Sequence, residues 1–225
     1  MPRAMATERD VPVRIGVSSC LLGVKVRYDG GHKWNRYLAS SLGKHVEWVP
    51  VCPEVEVGMG VPREPVELVR GGSGKRGREV RMVGAQSRKD WTREMLAYAR
   101  KRVKALAGLE LSGYVLKSRS PSCGMEGVKV LSPRGKPAGE SPGIFALVLR
   151  RELPLLPVEE EGRLEDPELR ESFLERVFAY NRWVRLRSLP LSRRRLLEFH
   201  SRHALALRAH SPEHLRRLER LAGGR

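Results

Sequence analysis

Cysteine is scarce in this 225-residue chain: there are three, and an odd number cannot all pair internally, so a disulfide framework does not organise the fold. Long apolar runs are missing too. Nothing approaches the roughly 18 residues that a membrane-spanning helix requires, and no membrane partner is expected. The opening "MPRAMATERDVPV" lacks the apolar stretch of a secretory signal, so residues 1–12 are expected to form a disordered tail and the protein to be cytoplasmic. No C-x-x-C pair occurs, which argues against a zinc ribbon and a thioredoxin-like site. The basic, Gly-rich stretch "RGGSGKRGR" (70–78) lacks the G-K-[ST] of a phosphate-cradling loop and reads as a surface loop. No internal repeat is visible.

Acidic side chains are in deficit, 26 against 43 basic ones, leaving a net charge of +17. Such a surplus suits a polyanionic partner such as nucleic acid; an Arg-rich solvated surface gives the same count. The imbalance is uneven. Residues 151–175 carry three basic and nine acidic side chains, and residues 176–225 carry thirteen and three. The first reads as a junction, the second as a module facing an anion.

Three short runs rich in Val and Ile, "VRIGV" (13–17), "VEWVPV" (46–51) and "GYVLK" (113–117), are bounded by turn residues and read as buried strands. Between the last two, Trp91, Met95, Ala99, Val103 and Leu106 recur at helical spacing, with Asp90 placed to cap the start and Gly108 to end it. Strands separated by helix imply parallel pairing, hence an α/β fold: a mostly parallel sheet flanked by helices, then a small all-α C-terminal region. "GIFALVL" (143–149) fits a helix or an edge strand. The Pro-rich, acidic stretch 153–168 reads as a linker closing a domain at 13–152. Beyond it, residues 169–225 carry an apolar stripe at Leu169, Phe173, Val177, Tyr180 and Val184, with Ser192 and Ser211 as helix caps and Pro212 in a first turn.

Each expected strand runs into a cysteine: "GVSSCLLG" with Cys20, "VPVCPEVE" with Cys52 and "KSRSPSCG" with Cys123. Parallel strands line a ligand crevice with their carboxyl ends, so the three thiols should meet on one side of the sheet. They can hold a zinc ion with an open position, bind three corners of an iron–sulfur cubane, exchange disulfides, or simply be three buried small hydrophobes. Tyr28 and Asp29 of "RYDGG" are candidate pocket groups, an aromatic face and an acceptor, or make a turn. Ser18 and Ser19 can donate to sulfur or shape their loop. His200, His203 and His210 share a helical face without a carboxylate or cysteine to complete a metal site. Arg193, Arg194, Arg195, Arg202 and Arg208 on the same segment are candidates for phosphate contact.

The trio "SSCLLGVKVRYDGG", "VCPEVEVGMGVPREP" and "KSRSPSCG" resembles the thiouracil desulfidase family, TudS, over roughly residues 13–160. The segment "LLEFHSRHALALRAHSPEHLRRLERLA" resembles the start of the YbgA-type domain fused to TudS-like domains in RudS proteins. It departs from that pattern at Ala204 and Glu219, and the helical segment 169–225 is expected to be an incomplete version. The resemblance implies a desulfidase acting on 4-thiouridine in tRNA, or, as in single-domain members, on a free thiolated nucleobase. It implies a 4Fe-4S cluster bound by three cysteines, Cys20, Cys52 and Cys123, with one open iron. Glu54 corresponds to the family's catalytic carboxylate and Ser120 to its catalytic serine. A non-enzymatic RNA-binding or iron–sulfur sensing module has the same motifs, and a zinc hydrolase would use the same thiols.

Overall fold

A computed structural model describes residues 12–71 and 79–223. The expected tail, apart from its last residue, and the greater part of the 70–78 loop lie outside the described residues. Among those described, eight strands form: β1 (Arg14–Ser18), β2 (Glu47–Val51), β3 (Val66–Arg70), β4 (Val80–Gly84), β5 (Gly113–Leu116), β6 (Val128–Leu131), β7 (Pro137–Ser141) and β8 (Val158–Glu160). The helices are α1 (Pro53–Glu56), α2 (Thr92–Ala107), α3 (Ile144–Glu152), α4 (Pro167–Ser188), α5 (Arg193–His210) and α6 (Pro212–Gly223). None is long and apolar enough to cross a membrane.

The first sheet has the order β2-β1-β5-β8, and every pairing in it is parallel. Its central strands are buried on both faces, which is why they read as unbroken apolar runs. Ile15, Val17 and Val115 point to one face, where Leu21, Leu38, Phe173 and Val177 cover them. Tyr114 and Leu116 point to the other, against α2 and α3 through Val103, Leu106, Phe145 and Leu149. Gly16 pairs in register with Tyr114, and a side chain there would collide with the Tyr114 ring. The glycine of "RIGVS" therefore makes room for a fully buried tyrosine on the neighbouring strand.

The second sheet, β4-β3-β6-β7, is mixed: β3 pairs with β6 in parallel and with β4 antiparallel, and β7 runs antiparallel to β6. It closes a core of Leu68, Met82, Val128 and Val130 against Met95 of α2 and Ile144 of α3. The "GIFALVL" run is a helix. In α2 the stripe Met95, Ala99, Val103, Leu106 is buried as expected, but Asp90 stands one position before the N-cap, Trp91, and accepts from Thr92 N at 2.9 Å.

The stretch 153–168, expected as a linker, instead contains β8, the outer strand of the first sheet. Its acidic run is part of the fold because Glu159, Glu160 and Glu161 each take a partner: Arg163 and Arg176 for Glu159, Met125 N for Glu160, Lys117 for Glu161. Nor does α4 stand apart. Asp166 caps it, accepting from Glu168 N and Leu169 N, and Phe173 and Val177 complete the core over β1. Asn181 donates to Ser112 Oγ at 2.9 Å in the interior. Ser192 caps α5 as expected, through Arg195 N, whereas α5 buries no residue fully and α6 buries Leu215.

Candidate active site

Three adjacent parallel strands deliver three cysteines. β1 passes into a tight 3-10 turn, Ser19–Leu22, holding Cys20; β2 ends at Cys52, the N-cap of α1; β5 opens into the loop that ends at Cys123. All three are free thiols, and all three line one cavity of about 310 Å³ together with Glu54, Ser120, Tyr28, Lys117 and Arg63. The convergence read from the strand ends is what the fold produces.

The loop 117–124 is fixed from behind. Its carbonyls at Pro121 and Ser122 accept the N–H groups of Ile144 and Ala146, so the first turn of α3 is capped by the site loop itself. Gly143 lies against Ser122 and Ser120, where a Cβ would collide with backbone, and Gly124 lies against Val128, where a Cβ would collide with the side chain. Glu161 clamps the other end, accepting from Ser118 N at 2.7 Å, Ser118 Oγ at 2.8 Å and Lys117 Nζ at 2.6 Å. Ser18 Oγ accepts from Lys117 N at 2.9 Å, tying this loop to β1.

Glu54 is held at both oxygens. Arg63 donates to Oε2 through Nη2 at 2.5 Å and Nε at 3.2 Å; Ser122 Oγ donates to Oε1 at 2.8 Å. Arg63 is itself nearly enclosed and anchored on the Val26 and Gly60 carbonyls. Ser120 Oγ lies 3.5 Å from Glu54 Oε1 and accepts from both Ser122 N and Cys123 N at 3.2 Å. Those two N–H groups occupy its lone pairs, leaving its proton to face the carboxylate. Cys52 is braced separately: its N–H meets Glu56 Oε1 at 3.0 Å, while Tyr98 Oη and Arg102 Nε reach Glu56 Oε2 from α2.

Burial pushes the Cys20 thiol up to about 11, with Cys52 adding to the shift and Lys117 and Arg27 opposing it. Burial likewise raises Cys52, and raises Cys123 well above the ordinary thiol value, partly offset by a hydrogen bond from Ser18. Cys123 feels the charge of both other cysteines, so the three form one electrostatic unit. Among the described residues no three His, Cys, Asp or Glu side chains gather closely enough to hold one metal ion. A single zinc would need its thiolates all within about 2.3 Å of one point. Three thiols around one cavity, with the cations Lys117, Arg27 and Arg63 beside them to balance thiolate charge, can hold an inorganic group.

The other expected residues divide. Ser18 and Ser19 are buried at the cavity, and Tyr28 forms part of its wall with the Arg27 guanidinium 5.2 Å from its ring centre. Asp29 is not in that wall: Oδ1 accepts from Gly31 N at 3.0 Å and pairs with Arg27 at 3.6 Å. The Gly31 N–H, foremost among the groups favouring the charged form, holds its carboxyl below the usual range. Asp29 makes the turn. Arg193, Arg194, Arg195, Arg202 and Arg208 lie on α5, outside the cavity wall; Arg194 pairs with Glu198, and Arg195 reaches the Pro190 carbonyl. His203 is engaged with Phe199 O and Arg182, and His210 with Glu175. Arg63, Ser122, Lys117 and Glu161 were not singled out from sequence, although the first three lie within quoted motifs.

Comparison with known proteins converges on one family. The 2-thiouracil desulfurase family matches residues 15–161. The chain is 34% identical over 110 residues to the uncharacterized protein YbbK of Bacillus subtilis (strain 168), covering 48% of this chain and 71% of that one. Among solved structures it is similar to a [4Fe-4S]-dependent thiouracil desulfidase, TudS, at 31% identity and a TM-score of 0.54, covering 72% of this chain and 98% of that one.

Proposed function

Because the chain belongs to the 2-thiouracil desulfurase family, we propose that it is a desulfidase hydrolysing the carbon–sulfur bond of thiolated uracil, with 4-thiouridine in tRNA as substrate and uridine and hydrogen sulfide as products. The observation that carries this reading is the convergence of Cys20, Cys52 and Cys123 on a cavity that also contains the held pair Glu54–Arg63. A 4Fe-4S cluster on these three thiols would supply an iron without a protein ligand, a soft Lewis acid for the thiocarbonyl sulfur.

The chain's own groups supply the rest. Glu54 accepts the proton of a water that attacks the ring carbon, and Arg63 and Ser122 fix the carboxylate so that one oxygen faces the cavity. Ser120, its proton directed at Glu54, orients that carboxylate, and Glu54 returns the proton to the leaving sulfur. One C–S bond is exchanged for one C–O bond, water provides both protons of the sulfide, and no electron is needed from outside. Tyr28 offers a ring face to the pyrimidine. The surplus of +17 supports RNA over a free base as the larger partner.

The test is anaerobic incubation of the cluster-loaded protein with thiolated tRNA. Sulfide release with loss of the thiouridine absorbance is expected; a loaded protein that releases none overturns the reading. Turnover of free 4-thiouracil with tRNA untouched would keep the chemistry and move the substrate.

A further inference from the structure

The segment between the Cys20 turn and the helical turn at 37–41, residues 23–36, carries an unusual set of side chains: Lys25, Arg27, Tyr28, His32, Lys33, Trp34 and Arg36 against one acid, Asp29. That acid is already used by Arg27 and Gly31. Lys25 and Arg36 make no ion pair with a carboxylate among the described residues, and Lys33 acts on Asp29 only at longer range. Within the same short segment two aromatic rings face solvent, Tyr28 at 40% and Trp34 at 49% exposure, in a chain only 6% aromatic. A single exposed tryptophan is ordinary; two rings alternating with uncompensated cations on one lip are a different pattern.

The lip is held to the site by backbone. Lys33 N donates to Cys20 O and Asn35 N to Leu21 O, both at 2.8 Å, and Arg63 N donates to Tyr28 O at 2.9 Å. The Trp34 ring lies on Gly23, whose φ of +88° and missing side chain let the indole sit close over the Cys20 turn. Arg27, Tyr28 and Lys33 line the cavity; Trp34 follows Lys33 directly and lies outside it. A strand whose thiolated base enters the cavity meets this lip where Arg27, Tyr28 and Lys33 form the wall.

We infer that residues 25–36 form a platform for single-stranded RNA, on which Trp34 stacks a base flanking the thiolated one while Lys25 and Arg36 contact its phosphates. The inference rests on the RNA reading of the substrate. A paired base would have to be flipped out of its stack at a cost of a few kcal/mol to reach the cavity, whereas an unpaired one need not, so the favoured occupant is an unpaired stretch. Sequence reading had placed phosphate contacts on α5; the lip is the cationic surface continuous with the site.

The experiment uses the full-length, cluster-loaded protein and a fluorescent single-stranded oligoribonucleotide bearing one 4-thiouridine. Trp34→Ala is expected to weaken binding by about tenfold in anisotropy and raise KM for the oligonucleotide similarly, leaving kcat/KM for the free nucleoside within about twofold. Trp34→Phe should restore most of the loss. The Lys25→Ala/Arg36→Ala variant should lower the slope of log Kd against log salt by about 1.4. Unchanged RNA binding in Trp34→Ala, or equal losses for RNA and nucleoside, overturns the platform while leaving the substrate reading intact. Platform-dependent binding without sulfide release would do the opposite. A wild-type protein that ignores the oligonucleotide overturns both.

Discussion

Glu54 is bound by two neighbours that no spacing rule could reveal, since Ser122 meets it from 68 residues away and Arg63 from nine. Replacing it with glutamine keeps the shape but removes the proton acceptor and turns one accepting oxygen into a donating NH2 group. The expected outcome is a cluster-loaded protein with an unchanged absorbance spectrum and sulfide release lowered by about 10²- to 10⁴-fold. The cysteines differ in legibility. Each lies in the turn or loop that follows a strand end, so direction of travel alone predicted their meeting; Asp29, by contrast, offered two readings until the Gly31 N–H and Arg27 decided for the turn. Thiol reactivity gives a second residue-scale prediction for the protein without cluster. Thiolate is the reactive form, and Cys20 is raised from an ordinary 9.0 to about 11. Its alkylation rate should therefore keep climbing about tenfold per pH unit between pH 9 and pH 10, where an ordinary thiol has begun to level off. Mass-spectrometric mapping of the labelled cysteine checks this, and a plateau near pH 9 would contradict it.

At the scale of elements, β8 is the clearest lesson. Three prolines and an acidic run made 153–168 look like a connection, because composition registers the exposed half of such a stretch and not the pairing of Tyr114 with Val158 and Leu116 with Glu160 that recruits it. β7, "PAGES", is similar: nothing in its residues favours a strand, and only the antiparallel pairing with β6 makes it one. The consequence of β8 reaches the site through Glu161. Glu161→Gln would leave Lys117, half-enclosed beside the cavity, without its counter-charge and loosen the loop carrying Ser120 and Cys123. A loss of about 1–3 kcal/mol in denaturant unfolding is expected, with slower cluster uptake. Unchanged stability and uptake would mean that the clamp is ornamental.

Across the whole molecule, the parallel sheet, its helical cover and the C-terminal helices were legible as classes, whereas the break expected between the sheet and the helices is crossed by α4. α4 reaches the core over β1 through Phe173 and Val177, and periodicity could show that it has an apolar face without showing which surface that face covers. Phe173→Ala should cost about 3–5 kcal/mol and shift the unfolding of the first sheet along with that of α4. Separate transitions, with the sheet unmoved, would restore the two-body picture.

The strand order has one further consequence. β1 emerges first from the ribosome, but the strands beside it and their thiols follow about 30 and 100 residues later, and Glu161 about 40 later still. A growing chain shows its delivery machinery two thiols long before the third. If the three thiols hold one cluster, loading must wait until residue 123 has cleared the exit tunnel, and the loop that carries the third thiol is clamped only when residue 161 follows.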